Sequence, residues 1–180
     1  MNVPNLLSLI RLLLVPVFVA VFFSGDSNAG YFAAAIFLIA FMTDVADGYI
    51  ARKYNMVTKL GRILDPLADK LMKAAAVVCL TIRGDIPLWI ILVLLAKEAV
   101  MLSGGAVMLK KLRDVPASNW LGKCAEGYIC ALTFLLIMVR VPPQVSLALW
   151  CIALFIELLA LVVYGVRAFR ILREHKEGKT

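Results

Sequence analysis

The chain has 180 residues, of which 63% are hydrophobic and 17% charged, and its mean hydropathy is +0.92. A water-soluble globule of this composition would have too little polar surface, so the sequence predicts an integral membrane protein. Its length allows one domain, residues 1–180, and leaves no room for a separate soluble module. The net charge of +7 is divided among the ends of the apolar segments, which makes nucleic-acid binding a poor explanation for it.

Six apolar segments follow one another along the chain, and each approaches the length of about 20 residues with which a helix crosses a bilayer. The first contains one charge, Arg11, for which a snorkelling or bundle-facing role and contact with a lipid phosphate are both open. Residues 24–30 are expected to form a turn, and the tail ILREHKEGKT is expected to fray. The pattern predicts an all-α, polytopic membrane protein with six transmembrane helices in one bundle, at about residues 5–23, 31–54, 62–82, 88–109, 119–139 and 145–171.

Lysine and arginine are concentrated at alternate ends of these segments. Residues 52–62, 110–123 and 167–179 are basic, whereas the opposite junctions contain only Arg83 and Arg140. The positive-inside rule places the basic ends, both termini and a polar cavity on the cytoplasmic side of the cell (inner) membrane. The same cations suit contact with anionic membrane lipids.

Four aspartates, Asp44, Asp47, Asp65 and Asp69, lie beside the apolar segments, where ionisable groups are costly and usually functional. Asp44 and Asp47 share one helix face, as do Asp65 and Asp69, because residues three or four positions apart are neighbours. Two such faces joined by a turn would form a cage of carboxylates. Hard oxygen ligands suit Mg²⁺ or Mn²⁺, and two such ions can clamp both oxygens of a phosphoryl displacement. Solvated charges at a helix end are the alternative, which the repulsion among like charges disfavours.

Small and basic residues accompany the aspartates. Gly48 and Gly61 allow close approach of the backbone to a ligand, and Arg52 offers a planar fork of donors for a phosphate. The whole stretch resembles the signature of the CDP-alcohol phosphotransferase family, D-x2-D-G-x2-A-R-x8-G-x3-D-x3-D. The opening VPNLLSLIRLLLVPVF is also similar to the start of the phosphatidylglycerophosphate synthases of that family. All fixed positions of the signature match, namely Asp44, Asp47, Gly48, Ala51, Arg52, Gly61, Asp65 and Asp69.

The resemblance implies an enzyme that transfers a phosphatidyl group from CDP-diacylglycerol to an alcohol and releases CMP. It implies that Asp44, Asp47 and Asp65 bind metal, and that Asp69 completes the metal site and acts as general base. Glycerol 3-phosphate is the expected acceptor, and phosphatidylglycerol, the acceptor of a cardiolipin synthase, is the alternative. The residues assigned to the CDP moiety by resemblance are Asp44, Gly48, Ala51, Arg52 and Gly61.

Two lysines are candidates for binding the acceptor. Lys73 lies one turn after Asp69 on the same face, where it can pair with the carboxylates or contact an acceptor phosphate. Lys97 and Glu98 occupy the place of an Arg-Glu pair in similar phosphatidylglycerophosphate synthases. Because lysine lacks the planar fork of arginine, this difference leaves the identity of the acceptor open.

Three other charges lie in the last two predicted spans. Lys123, in the stretch WLGK, resembles a basic residue near the acceptor pocket of relatives, and is otherwise an ordinary cytoplasmic anchor. Glu126 and Glu157 are expected to be bundle-facing structural partners.

Two functions of other classes are also considered. The four aspartates could line a divalent-cation channel or carrier, although Arg52 and Lys53 beside them would oppose cation passage. A catalytically silent scaffold is the third possibility, and the complete signature disfavours it.

A homodimer is also predicted. The prediction rests on the family resemblance and on the small residues 103–106 (SGGA), which permit close helix contact.

Overall fold

The computed structural model describes residues 3–53, 61–112 and 120–176, with side-chain positions for residues 6–44, 64, 67–105, 108, 120–171 and 173. Within these ranges every regular element is an α-helix, which confirms the predicted all-α class. The six helices are α1 (Val3–Phe22), α2 (Ala29–Lys53), α3 (Gly61–Arg83), α4 (Leu88–Leu112), α5 (Trp120–Met138) and α6 (Pro143–Lys176).

The predicted helix ends differ from the observed ones mainly at two places. Residues 24–30 were expected to form a turn, but α2 already begins at Ala29. The turn is shorter because Gly25 reverses the chain with a φ of 76° and the Asp26 carboxylate accepts a hydrogen bond from the Asn28 amide at 2.7 Å. The prediction of a frayed tail is wrong as far as Lys176, since the strong helix formers of ILREHK continue α6.

The described chain forms two compact units. Unit 1 comprises Met1–Asp85 and Leu132–Pro142, so it contains α1, α2, α3 and the last turns of α5. In this unit α1 packs against α2 and α3, which also contact each other. Most of their buried residues are small, which lets helices approach closely. The buried stripes are Ser8, Arg11, Phe18 and Phe22 in α1, Ala29, Ala33, Phe37 and Ala40 in α2, and Ala68, Met72, Ala76 and Cys79 in α3.

These stripes position the polar residues of unit 1. Asp44 lies one turn beyond Ala40, at the end of the alanine stripe of α2. Asp69 directly follows the buried Ala68 of α3. Arg11 belongs to the buried stripe of α1 itself.

The opposite end of unit 1 is held together by Arg83. Its guanidinium pairs with Asp85, donates a hydrogen bond to the Leu136 carbonyl oxygen, and lies 4.8 Å from the centroid of the Phe22 ring. Gly30 lies at the same end of the unit, and a Cβ atom there would be only 2.9 Å from the Ile137 carbonyl oxygen. The start of α2 and the end of α5 therefore pack backbone against backbone.

Unit 2 comprises Ile86–Ala131 and Pro143–Thr180, and contains α4, the first turns of α5, and α6. α4 packs against α6. The fully buried Trp150 and the buried Glu157 lie two turns apart on one stripe of α6. The Tyr128 hydroxyl of α5 donates a hydrogen bond to the Leu149 carbonyl oxygen of α6 at 3.3 Å.

Three helices within the described ranges are long and apolar enough to cross a membrane, over Leu88–Gly105, Trp120–Met138 and Pro143–Ile171. Shorter apolar stretches occur at Leu6–Phe22 in α1 and Ala29–Asp44 in α2. Large apolar side chains such as Leu13, Phe32 and Phe155 are exposed. An exposed apolar surface is what a helix presents to lipid. The chain is thus a helical membrane protein, whereas its six spans and its cavity stay predictions.

Candidate functional site

Asp44 forms an ion pair with an arginine of another helix. The Arg11 Nη1 atom lies 2.7 Å from the Asp44 Oδ1 atom. The Arg11 side chain is only 1% exposed, whereas that of Asp44 is 37% exposed. Of the two roles open for Arg11, the structure supports the bundle-facing one, because the cation is buried among helices and compensated by a carboxylate.

Asp69 also has a cationic partner, but on its own helix. The Lys73 Nζ atom lies 3.0 Å from the Asp69 Oδ2 atom, one turn further along α3, and both side chains are more than a quarter exposed. Asp69 and Lys73 are close enough to Asp44 to interact with it electrostatically. Two of the four signature aspartates, one from α2 and one from α3, therefore share a site with two cations.

The other signature residues lie where the backbone is described but the side chains are not. Residues 47–52 belong to α2, and Gly61 and Asp65 belong to the first turns of α3. Among the side chains with described positions, no group of three or more acidic, histidine or cysteine residues could hold a metal. Only two signature aspartates are in that set, so Asp47 and Asp65 fall outside it. The signature residues without described side chains are Asp47, Gly48, Ala51, Arg52, Gly61 and Asp65.

The donor chemistry of the described pair suits a hard divalent cation. Asp44 and Asp69 supply carboxylate oxygens from two packed helices, and neighbouring like charges repel unless cations lie near them. Arg11 and Lys73 each form an ion pair with one of these two carboxylates. A divalent ion would therefore rely on the charges of Asp47 and Asp65 as well, which agrees with four aspartates in the sequence.

Lys97, predicted to contact the acceptor, is buried in unit 2 between two glutamates. Its Nζ atom lies 2.8 Å from Glu157 Oε2 and 2.6 Å from Glu98 Oε1. The Glu157 side chain is 6% exposed and that of Glu98 is 46% exposed. Two carboxylates thus pair with one ammonium group, which has three hydrogen-bond donors. The pairing with Glu157 was missed, although two opposite charges in apolar helices each indicate the need for a partner.

Lys123 and Glu126, one turn apart on α5, are both exposed. The expectation that Glu126 faces the bundle is therefore wrong, whereas the same expectation for Glu157 is confirmed by its burial and its bond to Lys97. Lys123 lies on the surface of α5, as an anchor at a membrane boundary would.

The comparisons with known proteins agree on one family. Residues 1–167 match the family model described as CDP-alcohol phosphatidyltransferase. The chain is 34% identical, over an alignment of 172 residues, to a CDP-diacylglycerol–glycerol-3-phosphate 3-phosphatidyltransferase of Bacillus subtilis. The match covers 86% of the chain and 89% of that protein. It is 40% identical over 119 residues to a protein of the same name from Rickettsia bellii, covering 66% of the chain and 65% of that protein.

A relative named as a cardiolipin synthase matches a similar portion of the chain. The chain is 38% identical over 129 residues to a cardiolipin synthase (CMP-forming) of Streptomyces coelicolor, covering 69% of the chain and 60% of that protein. The chain therefore spans most of the Bacillus protein but less than two thirds of the Rickettsia and Streptomyces proteins.

Proposed function

The chain belongs to the CDP-alcohol phosphatidyltransferase family, and from this membership we propose that it transfers a phosphatidyl group from CDP-diacylglycerol to glycerol 3-phosphate, forming phosphatidylglycerophosphate and CMP. The name and coverage of the Bacillus relative support this acceptor. The observation that carries the proposal is that Asp44 and Asp69 lie on two packed helices, close enough to interact electrostatically. Both are fixed positions of the signature, and the family match extends across both. A transferase therefore accounts for these acids better than a channel or a silent scaffold does.

Asp69 is the proposed general base. A base must reach the proton of the acceptor hydroxyl, and Asp69 is partly exposed while its partner Lys73 is a flexible side chain that can give way. As Asp69 takes the proton, the acceptor oxygen bonds to the β-phosphorus of CDP-diacylglycerol. The bond from that phosphorus to the bridging oxygen breaks, and CMP leaves with the electron pair.

The proposed metal ligands are the four aspartates, Asp44, Asp47, Asp65 and Asp69, and the proposed ions are Mg²⁺ or Mn²⁺ in a two-metal site. When bound, such ions neutralise the pyrophosphate and stabilise the leaving group. In this arrangement the CDP moiety is contacted by Asp44, Gly48, Ala51, Arg52 and Gly61. Lys73, Lys97 and Lys123 are proposed for the acceptor; Lys97 would first have to exchange one of its glutamates for a phosphate.

The membrane arrangement is also proposed. The basic residues at alternate helix ends support a cytoplasmic site and cytoplasmic termini in the cell (inner) membrane. The small residues 103–106 support a homodimer. A reporter fused to either terminus tests the orientation, and a monomeric mass both in mild detergent and after crosslinking in membranes would contradict the dimer.

Activity of the purified protein tests the proposed reaction. The protein in mild detergent is incubated with CDP-diacylglycerol, Mg²⁺ and either glycerol 3-phosphate, phosphatidylglycerol or no acceptor, and CMP and lipid products are measured by mass spectrometry. We expect phosphatidylglycerophosphate, with CMP released in equal amount only when glycerol 3-phosphate is present. Absence of CMP release with every acceptor would contradict the proposal.

The second candidate is a cardiolipin synthase that uses phosphatidylglycerol as acceptor. It is favoured by the Streptomyces relative and by lysine at position 97, where resemblance leads one to expect arginine. Cardiolipin as the main product of the same incubation would establish this alternative.

A further inference from the structure

The two described carboxylates of the site are held by their cations in unlike ways. Arg11 reaches Asp44 from another helix and is almost completely buried. Lys73 reaches Asp69 from one turn away on the same helix, and its side chain is 29% exposed. A buried guanidinium between packed helices has few alternative rotamers, whereas an exposed lysine has many. The first pair is therefore rigid and the second is replaceable.

The bond to Arg11 uses one of the two oxygens of Asp44. Arg11 Nη1 contacts Oδ1, and within the described residues no hydrogen bond reaches Oδ2. Asp44 is more than a third exposed although its partner is not. The carboxylate is thus anchored on its buried side and accessible on the other.

The geometry points to Arg11 as a positioning residue for Asp44, which fixes the carboxylate so that Oδ2 would be available to a metal held by the signature aspartates. This inference rests on the proposed function, since it assumes a metal at the signature aspartates. Partners that hydrogen-bond to a metal ligand orient it, and their loss typically weakens metal affinity about 10- to 100-fold. Lys73, by contrast, is a counter-ion that Asp69 releases when a metal or substrate arrives.

A purely electrostatic role for Arg11 predicts the opposite result. If Arg11 only neutralised Asp44, its removal would leave the site more negative, and a divalent cation would bind more tightly. A positioning role predicts weaker binding, because the carboxylate loses its fixed orientation. The sign of the change in metal affinity therefore separates the two roles.

Binding of Mn²⁺ to the purified full chain, measured by electron paramagnetic resonance without lipid substrate, tests the inference. We expect Arg11→Met to weaken Mn²⁺ binding about 10- to 100-fold and Arg11→Lys about tenfold, since lysine keeps the charge but not the fork. Lys73→Met should bind Mn²⁺ at least as tightly as the wild type. Arg83→Lys is the matched control, because Arg83 also pairs with an aspartate in unit 1 but at its other end, and it should leave Mn²⁺ binding unchanged.

Size-exclusion chromatography and circular dichroism establish that each variant is folded. If Arg11→Met does not fold, Arg11→Lys, which keeps the buried charge compensated, decides the test. Wild-type or tighter Mn²⁺ binding by the folded Arg11 variants would overturn the positioning role and leave the proposed transferase intact. Equal weakening by Lys73→Met would also overturn it. A wild-type protein that transfers phosphatidyl groups without binding Mn²⁺ or Mg²⁺ would overturn both the positioning role and the proposed metal site.

Discussion

Replacing Glu157 by glutamine removes the charge from one partner of Lys97 while keeping the size of the side chain. Lys97 and Glu157 are both buried and join α4 to α6 through a bond of 2.8 Å. Glu98 is the second partner of Lys97, at 2.6 Å, but its side chain is 46% exposed. The two carboxylates therefore differ in burial more than in distance, and their contributions to stability should differ accordingly.

The expected cost follows from burial. Removing one partner of a buried ion pair costs about 3–5 kcal/mol, because the other charge stays buried without compensation. Glu98 still neutralises Lys97 in Glu157→Gln, so we expect a somewhat smaller loss of about 2–3 kcal/mol in the free energy of unfolding. Glu98→Gln should cost less, on the order of 1 kcal/mol, because Lys97 keeps its buried partner Glu157 and the new amide oxygen can still accept a hydrogen bond.

Unfolding in mixed micelles with increasing SDS, followed by circular dichroism, measures both variants. The double variant Lys97→Met with Glu157→Leu should recover most of the stability, because a hydrophobic pair of similar volume avoids desolvation of the two charges. Equal losses for Glu98→Gln and Glu157→Gln, or a larger loss for Glu98→Gln, would refute the argument that burial decides the contribution of each carboxylate.

The remaining predictions concern the site and the packing of unit 1. Asp69→Asn should lower turnover about a hundredfold or more while CDP-diacylglycerol binding is largely retained, and near-normal turnover would remove its role as base. Asp44→Asn should weaken both binding and turnover, measured in the same assay. Excess chelator should stop CMP release, and full release in its presence would contradict a metal-dependent reaction. Gly30→Ala should lower the thermal midpoint because its Cβ would lie 2.9 Å from the Ile137 carbonyl oxygen, whereas Gly127→Ala, with nothing within 4 Å, should not.

The sequence was most informative about the helices, because a long apolar segment has one interpretation. Apolar segments bounded by Gly, Pro and charged residues predict the six helices, since burial and membrane contact both require continuous apolar stretches. The end of α6 was missed because the polar composition of its last residues does not distinguish an exposed helix from a frayed end. An exposed helix and a frayed end can have the same sequence, and they differ only in backbone conformation.

Partners across helices could not be predicted from the sequence. Arg11 and Asp44 are 33 positions apart, and Lys97 and Glu157 are 60 positions apart. A charge in an apolar helix indicates that a partner is needed, but the choice of partner depends on how the helices pack. For the site itself, spacing predicted which helix faces carry Asp44 and Asp69 and that Lys73 can pair with Asp69, whereas the pairing of Asp44 with Arg11 emerges only from the packed structure.

The bond between Arg11 and Asp44 also bears on how the protein enters the membrane. Their apolar stretches, Leu6–Phe22 and Ala29–Asp44, are joined by a short turn. Arg11 lies inside its apolar stretch, whereas Asp44 is the last residue of the other. Because an arginine near the centre of an inserting helix costs roughly 2.5–3.5 kcal/mol, Arg11 without its partner opposes insertion of α1. Paired across the hairpin, each charge enters the bilayer with its partner. Glycosylation mapping should show inefficient insertion of α1 alone, with recovery by Arg11→Leu or by addition of α2. The first two helices would then partition into the bilayer as a single hairpin during synthesis.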